Sequence, residues 1–317
     1  MKLRGLLLLI LLFSPAILHS QDTLPPVEVS STRLRDVDQP TTQVPAKVIV
    51  ITADEIKTLG AKTIQEVLQY QTGVVLYDQV GNDFQSTVDM RGFNGQPVTT
   101  TTVFVDGVRI NEPDFNTINF DLIPIEDIER MEILPGTAAV FARNALGGVI
   151  NITTKRGRTE GPHFGVNLGG GSFGRQKYGF NTDGLLPFGN LDYHFGVTRE
   201  LTNGFRDATG GRMTRLAGKL GYRLGDDTDA TLSYIHVLDH LKQAGSLPLS
   251  LLHVDREANF TPGDFTDSNL NLVALNVRQK LPAGFSLAVN GFYRNNDQEG
   301  FVRGQTSESL LQTLLGS

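Results

Sequence analysis

Residue types able to do chemistry occur in this chain of 317 residues in patterns that mostly lead away from catalysis. There is no cysteine, which excludes thiol nucleophiles, disulfide frameworks, iron–sulfur clusters and Cys-ligated zinc. His236 and His240 are four apart, the spacing of two metal ligands on one helix face, but their neighbours alternate as a strand does. Asp226, Asp227 and Asp229 crowd one tight turn without the remaining ligands of a calcium loop. Gly169, Gly170 and Gly171 with Gly174 imitate a phosphate-binding loop, yet no helix follows to supply its N-terminus. No nucleophile stands beside a base within any motif. The expectation is a protein that is not an enzyme, with no catalytic group, no metal site and no cofactor. The formal charge of −6, without a basic stripe, also argues against a nucleic-acid partner.

What remains are polar and charged residues set at turns, loops and strand faces. Asp106-Gly107 is a hairpin-turn pair between strand-like flanks, and Gly147-Gly148 permits close backbone approach ahead of a buried strand. Arg130 and Glu132 fall on one face of a strand whose other face carries Met131 and Ile133. Two polar stretches, residues 78–86 and 108–120, read as loops. All of these lie in residues 46–158, which read as a compact α+β domain with strands at 48–51, 74–77, 87–90, 102–105, 130–134 and 149–153. Thr52 with Glu55 is a capping box opening a short helix that ends at Gly60. Thr63 with Glu66 repeats the device for a second helix, apolar along Ile64, Val67 and Leu68 and stopped at Gly73.

Two segments precede this domain. Residues 1–20 carry Lys2 and Arg4, an apolar run over 5–13, the helix breaker Pro15, and Ser20 as the small residue before a cut. That is the layout of a secretory signal peptide, too short to span a bilayer, leaving Gln21 as the mature N-terminus. Residues 21–45 hold Pro25-Pro26 and the strand-prone Val27-Glu28-Val29. They read as an extended tether that is either a plain linker or a peptide able to pair with a partner's sheet edge.

From His163 onward the hydrophobic period becomes two. Leu191, Tyr193, Phe195 and Val197 alternate with Asp192, His194, Gly196 and Thr198, and similar runs near 163–168, 177–186, 216–224, 230–237, 272–281 and 285–293 make about seven antiparallel strands. Tight turns near 187–190, 226–228 and 282–284 alternate with connections that include 199–215 and the longer 238–269. A soluble β-sandwich also alternates. Short turns on one side and long loops on the other favour an outer-membrane β-barrel, apolar face to lipid and polar face to lumen. With no Trp, its aromatic girdle must come from Tyr and Phe. A lumen wide enough to hold a domain of this size needs about 22 strands, so residues 159–317 are expected to be the N-terminal part of a longer barrel.

Four stretches then resemble the TonB-dependent outer-membrane receptors of Gram-negative bacteria: Val88-Asp89-Met90-Arg91-Gly92-Phe93; Val103-Phe104-Val105-Asp106-Gly107-Val108-Arg109-Ile110-Asn111; Ile128-Glu129-Arg130-Met131-Glu132-Ile133; and Asn144-Ala145-Leu146-Gly147-Gly148-Val149-Ile150-Asn151-Ile152-Thr153. They occur in the family's order, between a signal peptide and a barrel-like run. The resemblance makes residues 46–158 a plug domain and 159–317 the start of its barrel. It makes Asp22, Thr23, Leu24, Pro25, Pro26, Val27, Glu28 and Val29 the TonB box within the 21–45 segment.

The function implied by the resemblance is active import of a scarce chelate, a ferric siderophore or a cobalamin-like compound, across the outer membrane. TonB, energised through ExbB and ExbD, would pull on the box from the periplasm. The plug loops supply Asp78, Asn82, Asp83, Gln85, Arg109, Asn111, Asp114 and Asn116 as candidate ligand contacts. Arg91 matches an arginine that latches the family's plug to barrel-wall glutamates. A second family arginine is replaced here by Pro135, and Arg143 stands where a small residue is usual. A porin-like passive channel, a transcription-signalling receptor and a non-transporting truncated remnant are the alternatives. The box opposes the first, and its position directly after the leader opposes the second.

Overall fold

The structure is a computed structural model. It describes residues 48–71, 73–77, 87–90, 92, 100–112, 118–120, 123–136, 145–187, 190–225 and 227–303, with backbone alone at 28–29, 39–40 and Thr87. Of the residues expected to carry function, Arg109 and Asn111 lie within this set. Residues 1–20, Asp22 to Val27, Asp78, Asn82, Asp83, Gln85, Arg91, Asp114, Asn116 and Arg143 lie outside the described residues, as do the side chains of Glu28 and Val29. In the backbone, β1 (Glu28–Val29) pairs antiparallel with β2 (Gln39–Pro40), so the strand-prone segment finds a short partner within its own chain.

The plug begins with β3 (Ile49–Thr52) and α1 (Ala53–Leu59). The Thr52 hydroxyl accepts the Glu55 N–H while the Glu55 carboxylate accepts the Thr52 N–H at 2.7 Å, and Gly60 closes the helix at φ 64°. A cap of this kind is worth about 1 kcal/mol. At α2 (Ile64–Gln69) only half of the expected box forms. Thr63 accepts from the Glu66 N–H, but the Glu66 carboxylate bonds the Lys62 N–H at 2.7 Å, one residue earlier. The helix also stops sooner than its glycine implies. Tyr70 is the cap, and Gly73 (φ 83°) serves the turn into the next strand.

Next come the hairpin of β4 (Val74–Tyr77) and β5 (Thr87–Met90), then β6 (Thr101–Val105), β7 (Val108–Arg109), β8 (Ile128–Pro135) and β9 (Gly148–Thr154). Strands β3, β8, β9, β6 and β7 form one mixed sheet in that order, with β6 and β9 parallel. Val67, Leu68, Val103, Met131, Ile150 and Ile152 are fully buried in its core. The Arg130–Glu132 pair shares a face as expected, Nε to Oε1 3.0 Å. That face is not wet, for Glu132 is fully buried and also accepts from Asn151 Nδ2 at 3.1 Å.

The second half is a single antiparallel sheet of seven strands in chain order: β10 (His163–Gly170), β11 (Gln176–Leu185), β12 (Leu191–Thr202), β13 (Gly211–Leu224), β14 (Thr228–Lys242), β15 (Phe265–Lys280) and β16 (Ser286–Phe301). Its polarity is inverted relative to a soluble sheet. Along β12 the buried positions are Asp192, His194, Gly196, Thr198 and Glu200, while Phe195 points outward. Leu168, Leu220, Leu232, Leu275, Phe285 and Leu287 are exposed on the outer face, Leu168 by 75%. Only a lipid solvent makes that arrangement favourable, since each such side chain gains about 1.5–3 kcal/mol on leaving water. Tyr178, Tyr222, Tyr234 and Tyr293 stand exposed on the same face, at different heights along the strands.

Two expectations are corrected here. The connections foreseen at 199–215 and 238–269 are shorter, because β12 to β15 run several residues past the apolar positions that reveal them. Backbone pairing continues where both faces have become polar, and periodicity is blind to that. The inner face is also not uniformly polar. Met213, Ile235, Val237, Leu241, Leu270, Leu272 and Ala274 line it and merge with the plug core, sealing plug to wall.

Candidate functional site

The plug and the wall meet through buried charges, each placed by a local feature of the chain. Asp106-Gly107 forms the β6–β7 turn with both residues left-handed, φ 45° and 80°, as a two-residue hairpin turn requires. The turn projects the Asp106 carboxylate at the wall. Oδ1 accepts from the Thr154 N–H at 3.0 Å and from Lys219 Nζ of β13 at 2.8 Å; Oδ2 accepts from Thr154 Oγ1 at 2.6 Å and from Ser233 Oγ of β14 at 3.4 Å. Lys219 also donates to the Thr154 carbonyl at 2.9 Å, and Asn276 Nδ2 of β15 donates to the Asp106 carbonyl at 3.0 Å. Three strands of the wall thus grip one turn of the plug. A buried pair this well supplied with hydrogen bonds offsets its desolvation, and losing one partner costs about 3–5 kcal/mol.

A second joint lies at the short helical turn Ile125–Asp127. His194 Nε2 of β12 is 2.8 Å from Asp127 Oδ1, both side chains at most 4% exposed. Gly196, two residues on and on the same face, makes the room: a Cβ there would sit 2.7 Å from Asp127 Oδ1. Beside it Glu126 pairs with Lys177 at 2.5 Å, and Glu129 pairs with Arg158. A third joint is Glu112, which receives Arg294 and, at 3.1 Å, Asn296 Nδ2, both from β16.

The segment joining the two halves is clamped as well. Arg156 reaches Asp192 with Nε (3.1 Å) and Nη2 (2.7 Å), and Asp229 with Nη1 (2.6 Å). Burial works to lower its affinity for the proton, but the bonds to Asp192 and Asp229 outweigh it and the guanidinium pKa is raised. On the wall, the inward-facing Glu200 is already engaged by Arg175 Nε at 2.7 Å and Arg215 Nη1 at 3.5 Å. Arg206 ties the connections at the far end together, donating to the carbonyls of Gly245 (2.6 Å) and Ala258 (2.7 Å).

The two described plug-loop residues take different places. Arg109 is half-buried in β7. Asn111 is buried, accepting the Val103 N–H and donating to the Thr101 carbonyl, both at 2.9 Å, so its amide braces β6 from within the plug. The joint residues Lys219, His194, Arg294, Asp192 and Arg156 were not singled out by motif. Their signal was parity: Asp192, His194 and Lys219 fall on the polar phase of their strands, the phase that meets the plug.

An α+β domain seated by buried ion pairs on the inner face of a sheet whose outer face is apolar defines a plugged outer-membrane barrel. Residues 40–149 match the family model described as the TonB-dependent Receptor Plug Domain, so this part of the chain is a plug domain of that family. It is 34% identical over 197 residues to the vitamin B12 transporter BtuB of Vibrio vulnificus, a match covering 61% of this chain and 30% of that protein. To the rhizobactin receptor of Rhizobium meliloti it is 27% identical over 211 residues, covering 60% and 28%. The ferripyoverdine receptor of the outer membrane of Pseudomonas aeruginosa superposes with a TM-score of 0.71 at 18% identity, over 87% of this chain and 37% of that one. The ferric citrate transporter FecA, unliganded, gives 0.70 at 18%, over 89% and 44%. The structural matches speak for the fold. The chain spans about a third of the length of the curated relatives it matches.

Proposed function

We propose that the protein acts in TonB-dependent import of a scarce chelate, a cobalamin-like compound or a ferric siderophore. The supporting observation is the joint itself. A plug held in its wall by discrete contacts, the buried Lys219–Asp106 ion pair, the buried His194–Asp127 hydrogen bond and the partly buried Arg294–Glu112 pair, has two states, seated and pulled, rather than a continuum. The relatives named for vitamin B12 transport and as a rhizobactin receptor support the cargo class.

In this reading residues 1–20 direct export, and Asp22, Thr23, Leu24, Pro25, Pro26, Val27, Glu28 and Val29 pair as an added strand with TonB. TonB in turn draws on ExbB and ExbD. Asp78, Asn82, Asp83, Gln85, Arg109, Asp114 and Asn116 contact the cargo, with Asn111 bracing the base of their loop. Arg91 adds a further latch to the wall.

The test is uptake of labelled cobalamin and of ferric siderophores by cells expressing the protein, with and without TonB. The expected result is accumulation of one class that disappears without TonB and falls sharply in Val27→Pro. Accumulation unchanged by the loss of TonB would replace import by passive permeation.

A further inference from the structure

The plug runs into the wall through a connector, residues 155–162, whose most apolar side chain is Pro162. Apolar burial cannot anchor such a segment, yet it lies tightly against the wall. The Lys155 N–H donates to the Asp127 carbonyl at 2.8 Å, the Leu185 N–H donates to the Thr159 carbonyl at 3.0 Å, and Glu160 makes an isolated parallel bridge to Leu185 of β11. Backbone meets backbone where the connector crosses β11: a Cβ on Gly157 would stand 2.2 Å from the Gly184 carbonyl oxygen.

Arg156 reaches further. It passes over β10 and β11 and bonds β12 through Asp192 and β14 through Asp229, while Arg223 of β13 stands 3.8 Å from the same Asp192. Gly221 of β13 leaves the way open, since a Cβ there would sit 2.2 Å from Arg156 Nη2. The Arg156 and Asp192 side chains are 14% and 2% exposed, so the charge-assisted hydrogen bonds of one guanidinium work largely out of water and are loaded together. The strand that follows directly is a poor anchor by comparison. β10 has eight residues, the shortest of the seven wall strands, and pairs with β11 alone among the described residues. Tension on its first residue acts along the strand, and a slip of one position would turn Phe164, Val166 and Leu168 from the outer face to the inner one.

We propose that Arg156 is a load-bearing stop. When the plug is pulled from its N-terminal side, the guanidinium passes the tension to β12 and β14, inside the sheet, and β10 keeps its register. The plug can then shift while the wall stays whole. A joint that only seated the plug could have used β10 or β11, which the chain already touches; reaching past both matters where force has to bypass them. The inference rests on the reading that TonB pulls on the plug, and it requires no particular cargo.

The test is single-molecule pulling on the full-length protein in a lipid bilayer, held by its N-terminus. Wild type is compared with Arg156→Gln, the milder Asp229→Asn, and Lys242→Gln at the other end of β14, with circular dichroism to check that each sheet is intact. In the wild type a force peak should mark the point where the chain is drawn out to residue 156, before β10 yields. That peak should be lost in Arg156→Gln, reduced in Asp229→Asn and unchanged in Lys242→Gln. An undiminished peak in both folded clamp variants would overturn the stop. In cells, the folded, heat-shifted form of Arg156→Gln should decline only where TonB is present. Equal decline with and without TonB would make Arg156 an ordinary stabilising residue and overturn its load-bearing role. A peak lost under applied force, with no decline in cells of either kind, would uphold the clamp and overturn the reading that TonB pulls on this plug.

Discussion

Lys219 Nζ, on the inner face of the barrel wall, lies 2.8 Å from Oδ1 of Asp106 at the tip of a plug hairpin, the two side chains 4% and 6% exposed. The same sheet also presents Met213, Ile235, Val237 and Leu272 to the plug. The two kinds of contact do different work. Apolar contact is non-directional and tolerates sliding, whereas a desolvated pair with four further hydrogen bonds has one geometry and is lost all at once. The apolar patch therefore seals the plug, and the charge sets where it sits.

The first prediction concerns that pair. Lys219→Met leaves a buried carboxylate without its cation and should destabilise the protein by about 3–5 kcal/mol. Asp106→Asn keeps a residue tolerant of the left-handed turn, and combining the two should recover part of the loss. A denaturation double-mutant cycle with coupling below about 0.5 kcal/mol would show that the pair does not hold the plug.

Gly196→Ala tests the second joint. The added methyl would lie 2.7 Å from Asp127 Oδ1 and must push the carboxylate off His194. A cost of about 1–3 kcal/mol is expected, with faster protease cleavage of the plug while the wall stays resistant. Equal cleavage of wild type and variant would mean that the joint yields without consequence.

Acid stability should report on Asp89 in β5. Burial raises its pKa above the ordinary 3.8, the backbone N–H of Gly92 pulls it partly back, and its Oδ1 has no hydrogen-bond partner among the described residues. The folded state therefore holds the proton more tightly than the unfolded one. The stability this contributes is complete below 3.8 and is lost as pH rises through the raised folded value. Asp89→Asn should raise the melting temperature at neutral pH and give a smaller change between mild acid and neutrality. A variant less stable than wild type at pH 7 would contradict the assignment.

Adjacent residues on β13 test the inverted sheet. Lys219 faces the plug and Leu220 is 53% exposed on the outer face. Leu220→Arg should cost about 2–4 kcal/mol at the bilayer midplane and lower the folded fraction in lipid vesicles, whereas Leu220→Val should be nearly silent. Undiminished insertion of the Arg variant would mean that this face does not meet lipid.

Much of this architecture was legible in the chain. The capping box at Thr52 and Glu55 and the Asp106-Gly107 turn need only near neighbours, and both formed as their residues imply. The seven wall strands were readable because each one separates lipid from plug, and that demand writes a period of two. Their ends were not readable, because hydrogen-bonded pairing outlasts the apolar alternation. The stop of α2 at Tyr70 rather than Gly73 is a similar local miss, where the last turn yielded to the start of the β4 hairpin.

Partnership across the junction was not legible at all. By itself the sequence determined that Lys219 and His194 lie on the polar phase of their strands, and that Asp106 and Asp127 lie at turns. Which carboxylate each of these two side chains meets was decided only in three dimensions, across separations of 113 and 67 residues. Local periodicity specifies the face a side chain takes, because that depends on backbone geometry a residue or two away. A buried ion pair depends on how two independently formed sheets dock, and that follows from the whole of their packed surfaces.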